Sequence, residues 1–209
     1  ANEILHTEIA RREQLQEERL RQQAAVAAIG AHALRGDTLE ALMAEATALV
    51  AQSLNVDLCA VLELAPARDA LLLTAGFGWR EGLVGHAKIG VGTSSQAGYT
   101  LLSGQPVIVE DLATESRFEP PALLREHGIV SGLTVIIGTA ERPFGVLGAH
   151  AASRRTFSQE DVHLLESVAH VLFQVFAHSR ALNQVRRNAY WLERLIAFGC
   201  ELGQGYLFA

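Results

Sequence analysis

Five histidines, His86, His127, His150, His163 and His170, have the widest chemical range among the side chains of this sequence. A neutral imidazole can ligate a metal or a haem, and it changes charge near neutral pH. Their spacing follows no ligand pattern. His163 and His170 share one helix face as a polar patch or an interface feature, while His150, at the end of an apolar run, is the best single pocket candidate. Phe77, Trp79, Tyr99 and Phe118 can stack on a flat ligand, or else fill the core themselves. With His127 and His150 they make up the candidate ligand-binding set. The two cysteines, Cys59 and Cys200, form neither a disulfide framework nor a metal cluster. Cys59 falls mid-strand, where a free thiol serves as a small core residue. No nucleophile with an adjacent base is visible and no Walker loop is present, so no catalytic residue and no metal ligand is assigned, and any cofactor is unknown.

The elements that must position these residues are legible from pattern. Asp37-Thr38 followed by Leu39, Leu42, Ala46, Leu49 and Val50 predicts a capped amphipathic helix. Asp57 to Leu64 and Ala70 to Phe77 predict strands. Gly132 to Gly138 (GLTVIIG) and Phe144 to Ala152 (FGVLGAHAA), joined by Thr139 to Pro143, predict a hairpin of buried strands. Ser158 is an N-cap candidate for the helix beyond, with Glu160 and Asp161 at its positive end and Phe157 placed to staple onto Val162 or Leu165.

That order of hairpin, Arg155 to Asp161 and a long apolar helix resembles the closing part of a GAF domain. The resemblance extends upstream through the loop Ile89 to Gly98, which opens a short helix, and Gln105 to Asp111, which matches an edge strand. It implies an α+β fold: a central, mainly antiparallel sheet of five or six strands flanked by helices. It also implies a ligand pocket between the sheet and the segments Gly76 to Thr93, Ser94 to Leu102 and Glu115 to His127. The specific signatures of cyclic-nucleotide binders are present only in part, around Arg154-Arg155, Phe157 and Asp161, and the cysteine of bilin-binding relatives is missing from Pro120 to Ser131.

The domain division expected is 1–30 as a linker or coiled-coil helix, 31–180 as the GAF domain, and 181–209 as a signalling helix and tail. A heptad seam through Leu5, Glu8, Arg12, Leu15, Arg19, Gln22, Val26 and Ile29 is half polar, which suits a solvated linker helix as well as a weak coiled coil. The stripe Leu165, Val168, Leu172, Val175, Leu182, Val185, Ala189, Leu192 and Ile196 outlasts the domain, which points to a helical partner and a homodimer through the terminal helices. Tyr190 to Ala209 (YWLERLIAFGCELGQGYLFA) resembles the last helix and strand of EAL cyclic di-GMP phosphodiesterases. The remaining chain is too short for their barrel, so the resemblance implies a link to cyclic di-GMP signalling without that chemistry. The triplet Glu40-Ala41-Leu42 lacks the partner motifs and is coincidental.

Composition agrees with a soluble module. A chain of 209 residues, 49% hydrophobic and 19% charged, can bury one sizeable core. A net charge of −6 without clustered Lys and Arg argues against nucleic acid, and basic pairs such as Arg154-Arg155 read as surface decoration. No apolar run reaches the length of a membrane span. The expectation is a cytoplasmic, non-catalytic sensory domain of a bacterial signalling protein. It would bind a small molecule and act on an output domain in a parent protein; the alternative is a dimerisation module with no ligand.

Overall fold

A computed structural model describes residues 38–197 together with Gln16, Gln23, Ala24 and residues 27–31. Most of the heptad seam and the tail beyond residue 197, including Cys200 and the bulk of the EAL-like segment, lie outside the described residues. The chain divides into two compact units, Ala1–Phe173 and Gln174–Ala209.

The first unit is built on helix α1 (Leu39–Leu54), which starts where Thr38 Oγ1 accepts from the Ala41 N–H at 3.3 Å and stops at Asn55 in the left-handed region. Leu42, Met43, Ala46, Val50 and Leu54 recur at helical spacing and are all buried. The six strands are β1 (Leu58–Leu64), β2 (Ala70–Phe77), β3 (Lys88–Gly90), β4 (Val107–Val109), β5 (Ser131–Gly138) and β6 (Pro143–Ala151). They form one antiparallel sheet in the order β3-β2-β1-β6-β5-β4.

At the centre, β1 pairs with β6 from Leu58 opposite His150 to Glu63 opposite Gly145. Both strands are buried along almost their whole length, which explains why they read as continuous apolar runs without alternation. The α1 helix covers one face beside β1 and β2, where Thr74 approaches Met43 Sδ at 3.9 Å. On the other face lie the short helices α2 (Gln96–Ser103) and α3 (Ala122–Glu126) with their loops. Helix α4 (Gln159–Ala197) begins in the first unit. Its start is a reciprocal cap: the Asp161 N–H donates to Ser158 Oγ at 3.1 Å, and the Ser158 N–H donates to Asp161 Oδ2 at 2.9 Å.

Arg155 corrects the surface reading of the Arg154-Arg155 pair. Its guanidinium donates to the Leu54 carbonyl at the end of α1, meets Asp161 at 3.2 Å and lies 4.8 Å from the Phe157 ring centroid. Cation, cap and ring together join the close of one helix to the opening of another.

Candidate ligand pocket

The pocket is assembled around a histidine on a sheet of small residues. His150 sits near the end of β6, opposite Leu58 on one side and Gly132 on the other, and is 4% exposed. Its ring lies over two glycines: a Cβ at Gly132 would come 2.5 Å from Nδ1, and one at Gly148 would come 2.9 Å from Nε2. Any larger residue at either position would displace the imidazole. Burial pushes the pKa of His150 down to about 4, so the ring is neutral near neutral pH.

Gln96 enters from the first turn of α2. That turn is fixed by Ser95, whose hydroxyl accepts from the Gly98 N–H at 2.9 Å and donates to the Gly90 carbonyl at 2.5 Å. The Gln96 side chain is 1% exposed, and its Nε2 donates to the Val107 carbonyl on edge strand β4 at 3.0 Å. This bond orients the amide, leaving Oε1 as the free end. Thr100, one turn on, meets Thr134 of β5 hydroxyl to hydroxyl at 2.6 Å. Among the described residues two buried side-chain polar atoms then lack a hydrogen-bond partner: Gln96 Oε1 and His150 Nδ1. Both side chains pack onto Gly132, 2.9 and 2.5 Å from where its Cβ would be, and both residues line the cavity beside it.

Beside them is a cavity of about 30 Å³, walled by Ala60, Leu62, Trp79, Ala97, Leu124 and His150 among others. Trp79 is tied to the sheet, its Nε1–H donating to the Cys59 carbonyl at 2.8 Å. His127 stands behind it, ring to ring at 5.1 Å and 65°. The Nδ1 atom of His127 donates to the Leu123 carbonyl at 2.7 Å and its Nε2 accepts from the Arg80 N–H at 3.3 Å, which sets the tautomer.

The remaining candidates lie elsewhere. Tyr99 and Phe118 pair at 5.9 Å in an apolar cluster with Val107, Val109 and Leu112, under the Arg117 guanidinium. Arg117 is itself anchored by Glu115 at 2.6 Å and donates to the Ile108 carbonyl at 2.7 Å, and that ion pair holds the Glu115 carboxyl below its ordinary range. Phe77 is 39% exposed and pairs with Cys59, which puts it on the opposite face of the sheet from His150. Trp79 and His150 therefore line the cavity, His127 buttresses it, and Tyr99, Phe118 and Phe77 do not border it.

Cys59 is fully buried on the face away from the cavity, and burial pushes its thiol well above the ordinary range, so it is no ready thiolate. Among the described residues no group of three or more His, Cys, Asp or Glu is placed to hold a metal. No helix among them is long and apolar enough to cross a membrane. Sequence reasoning missed Gln96. The available signal was a lone amide at the head of an otherwise apolar short helix, straight after a serine cap.

Residues 38–174 match the family model described as the GAF domain. A 68-residue stretch is 36% identical to the sensor histidine kinase YhcY of Bacillus subtilis (strain 168), taking in 32% of this chain and 18% of the kinase. The fold is similar to that of the GAF domain from a phosphoenolpyruvate-protein phosphotransferase (ptsP) of Coxiella burnetii. That structure has a TM-score of 0.71 at 18% identity, over 79% of this chain and 98% of the other. Free methionine-R-sulfoxide reductase from Neisseria meningitidis, in complex with its substrate, is similar with a TM-score of 0.66 at 19% identity, over 77% of this chain and 91% of the other. The two structural likenesses speak for the fold alone. Since the family model matches more than half of the sequence, and the sheet order and flanking helices agree with the fold it implies, the chain belongs to the GAF domain family.

Proposed function

We propose that this GAF domain is a non-catalytic sensory module of a bacterial signalling protein, binding a small molecule in the cavity beside Gln96 and His150. The observation that carries the reading is the pair of buried, unpartnered polar atoms on Gln96 and His150, two residues that line the same cavity. Leaving a buried donor or acceptor unmade costs about 1–3 kcal/mol. A ligand that supplies the missing bonds removes that cost and favours the conformation that binds it. The sensor histidine kinase relative supports a signalling setting, and the substrate-bound reductase supports a small molecule held by this fold. The high thiol pKa of Cys59 supports the non-catalytic part.

In this reading residues 1–30 are a linker or coiled-coil helix, 31–180 the sensor, and 181–209 a signalling helix with an EAL-like tail. The terminal helices pair two copies in the cytoplasm, and occupancy changes their packing through differential affinity for two states. The tail's likeness to cyclic di-GMP phosphodiesterases supports an output connected with that messenger. A second reading, a dimerisation module without a ligand, is favoured by the Tyr99–Phe118 pair, whose rings pack on each other and on the apolar cluster instead of being free to stack on a ligand.

Native mass spectrometry of the protein as purified separates these readings. A dimer carrying a discrete adduct that is released on denaturation, and that is missing from a Gly132→Leu variant retaining the dimer, is the expected result. An adduct-free dimer, unchanged after exposure to a cell metabolite extract, favours the second reading; a monomer overturns the dimeric relay.

A further inference from the structure

The cavity's polar inventory narrows its occupant. Nε2 of Gln96 is committed to the Val107 carbonyl, so the amide offers the site an acceptor alone and demands an N–H or O–H in return. His150, held between Gly132 and Gly148, is a neutral imidazole with one N–H and one lone pair, and its Nδ1 is unpartnered. The remaining wall is largely apolar, from Ala60, Leu62, Ile89, Ala97 and Leu124. Among the described residues that line it none carries a formal charge. An ion entering this space would lose its water with no counter-charge to replace it, and the penalty grows steeply in an apolar surround. Size limits the choice as well. A water needs roughly 10–15 Å³ of such volume, so the cavity of about 30 Å³ suits a group of only a few heavy atoms.

We propose that the cavity takes a small uncharged molecule of the carboxamide type, its N–H bonded to Gln96 Oε1 and its second polar atom to His150, with its apolar end against Ala60 and Leu62. The inference rests on the ligand-binding reading above. A carboxamide carries a donor and an acceptor in one plane, which matches an amide acceptor and an imidazole in the wall of one small cavity. Phosphate-bearing and carboxylate-bearing messengers are thereby placed outside this cavity's specificity.

The test uses three probes of the same heavy-atom frame and different charge: acetamide, acetate and acetamidinium. Each is titrated into the full chain while the Gly132 amide and the His150 ring nitrogens are followed by NMR. Acetamide should shift these resonances saturably, in the millimolar range expected for so small a ligand, while the two ions should leave them unmoved at the same concentration. Gln96→Leu should weaken acetamide binding at least roughly tenfold, the worth of one hydrogen bond to a buried acceptor. Ala60→Val, which narrows the cavity without touching either polar group, should abolish binding, and it carries the test if the Gln96 variant does not fold. Saturation by acetate or acetamidinium at equal or lower concentration overturns the inference, as does full acetamide binding by folded Gln96→Leu. If native mass spectrometry finds a charged adduct, the class falls while the ligand-binding reading stands. With no adduct and no shift from any probe, both fall.

Discussion

His150 and its two glycines set the chemistry of the site, and each makes a separate demand on the fold. Burial pushes the imidazole pKa down to about 4 in the folded chain, against 6.5 in the solvated, unfolded one. Above pH 6.5 it is neutral in both states and stability is complete; as the pH falls toward 4, the unfolded chain takes up a proton that the folded chain refuses, and stability is lost. The expected loss reaches roughly 3 kcal/mol at the bottom of that window. Urea unfolding of the wild type across it should show the decline, and His150→Gln should flatten the slope; an equal slope in the variant would assign it to other groups. Gly132→Ala tests the same packing from below. Its Cβ would meet Nδ1 at 2.5 Å and Gln96 Oε1 at 2.9 Å, so overpacking should remove about 1–3 kcal/mol, read as a lower urea midpoint at unchanged slope.

Among the elements, the end of α1 and the start of α4 are joined by a cap, an ion pair and a cation–ring contact. Ser158→Ala removes one half of a reciprocal cap and should cost about 1 kcal/mol in chemical denaturation. Arg155→Met retains the stem but leaves the Leu54 carbonyl and Asp161 without their cation, and should cost at least as much. How legible such elements are depends on whether their signals are local. The bounds of β2, Ala70 to Phe77, are legible because Gly and polar turn residues flank an apolar run, and Ser158 is legible as a cap because it precedes an apolar helix that opens with Glu160 and Asp161. The three-residue β3 was hidden inside a loop reading, too short to show a period. Phe77 shows where alternation misleads. Counting by twos from Leu71 and Leu73, which face the cavity side, puts Phe77 beside them. A bulge between Val61 and Leu62 adds Thr74 to the opposite strand, inverts the phase, and leaves Gly76 on the cavity side instead. Gln96 was illegible for a related reason: the carbonyl that orients it belongs to Val107, and only the folded sheet edge brings the two together.

At the scale of the whole molecule, the sensing reading separates a folded sensor from the helices that carry its state. The sheet, α1 and the capped start of α4, with Val162, Leu165, Val168 and Leu172 buried, all lie within residues 38–173, so the means to fold is concentrated there. The proposed homodimer, by contrast, rests on the apolar stripe that runs from Leu165 to Ile196 in the sequence. A fragment of residues 31–180 should therefore keep a cooperative thermal transition and the acetamide response of the cavity, yet dimerise more weakly than the full chain. Sedimentation velocity over a concentration series measures the difference. A loss of tenfold or more in dimer affinity, equivalent to about 1.4 kcal/mol, would place the association in the ends. If the fragment dimerises as tightly as the full chain, the interface belongs to the sensor itself and the relay must run through a face of the GAF domain instead of through the terminal helices.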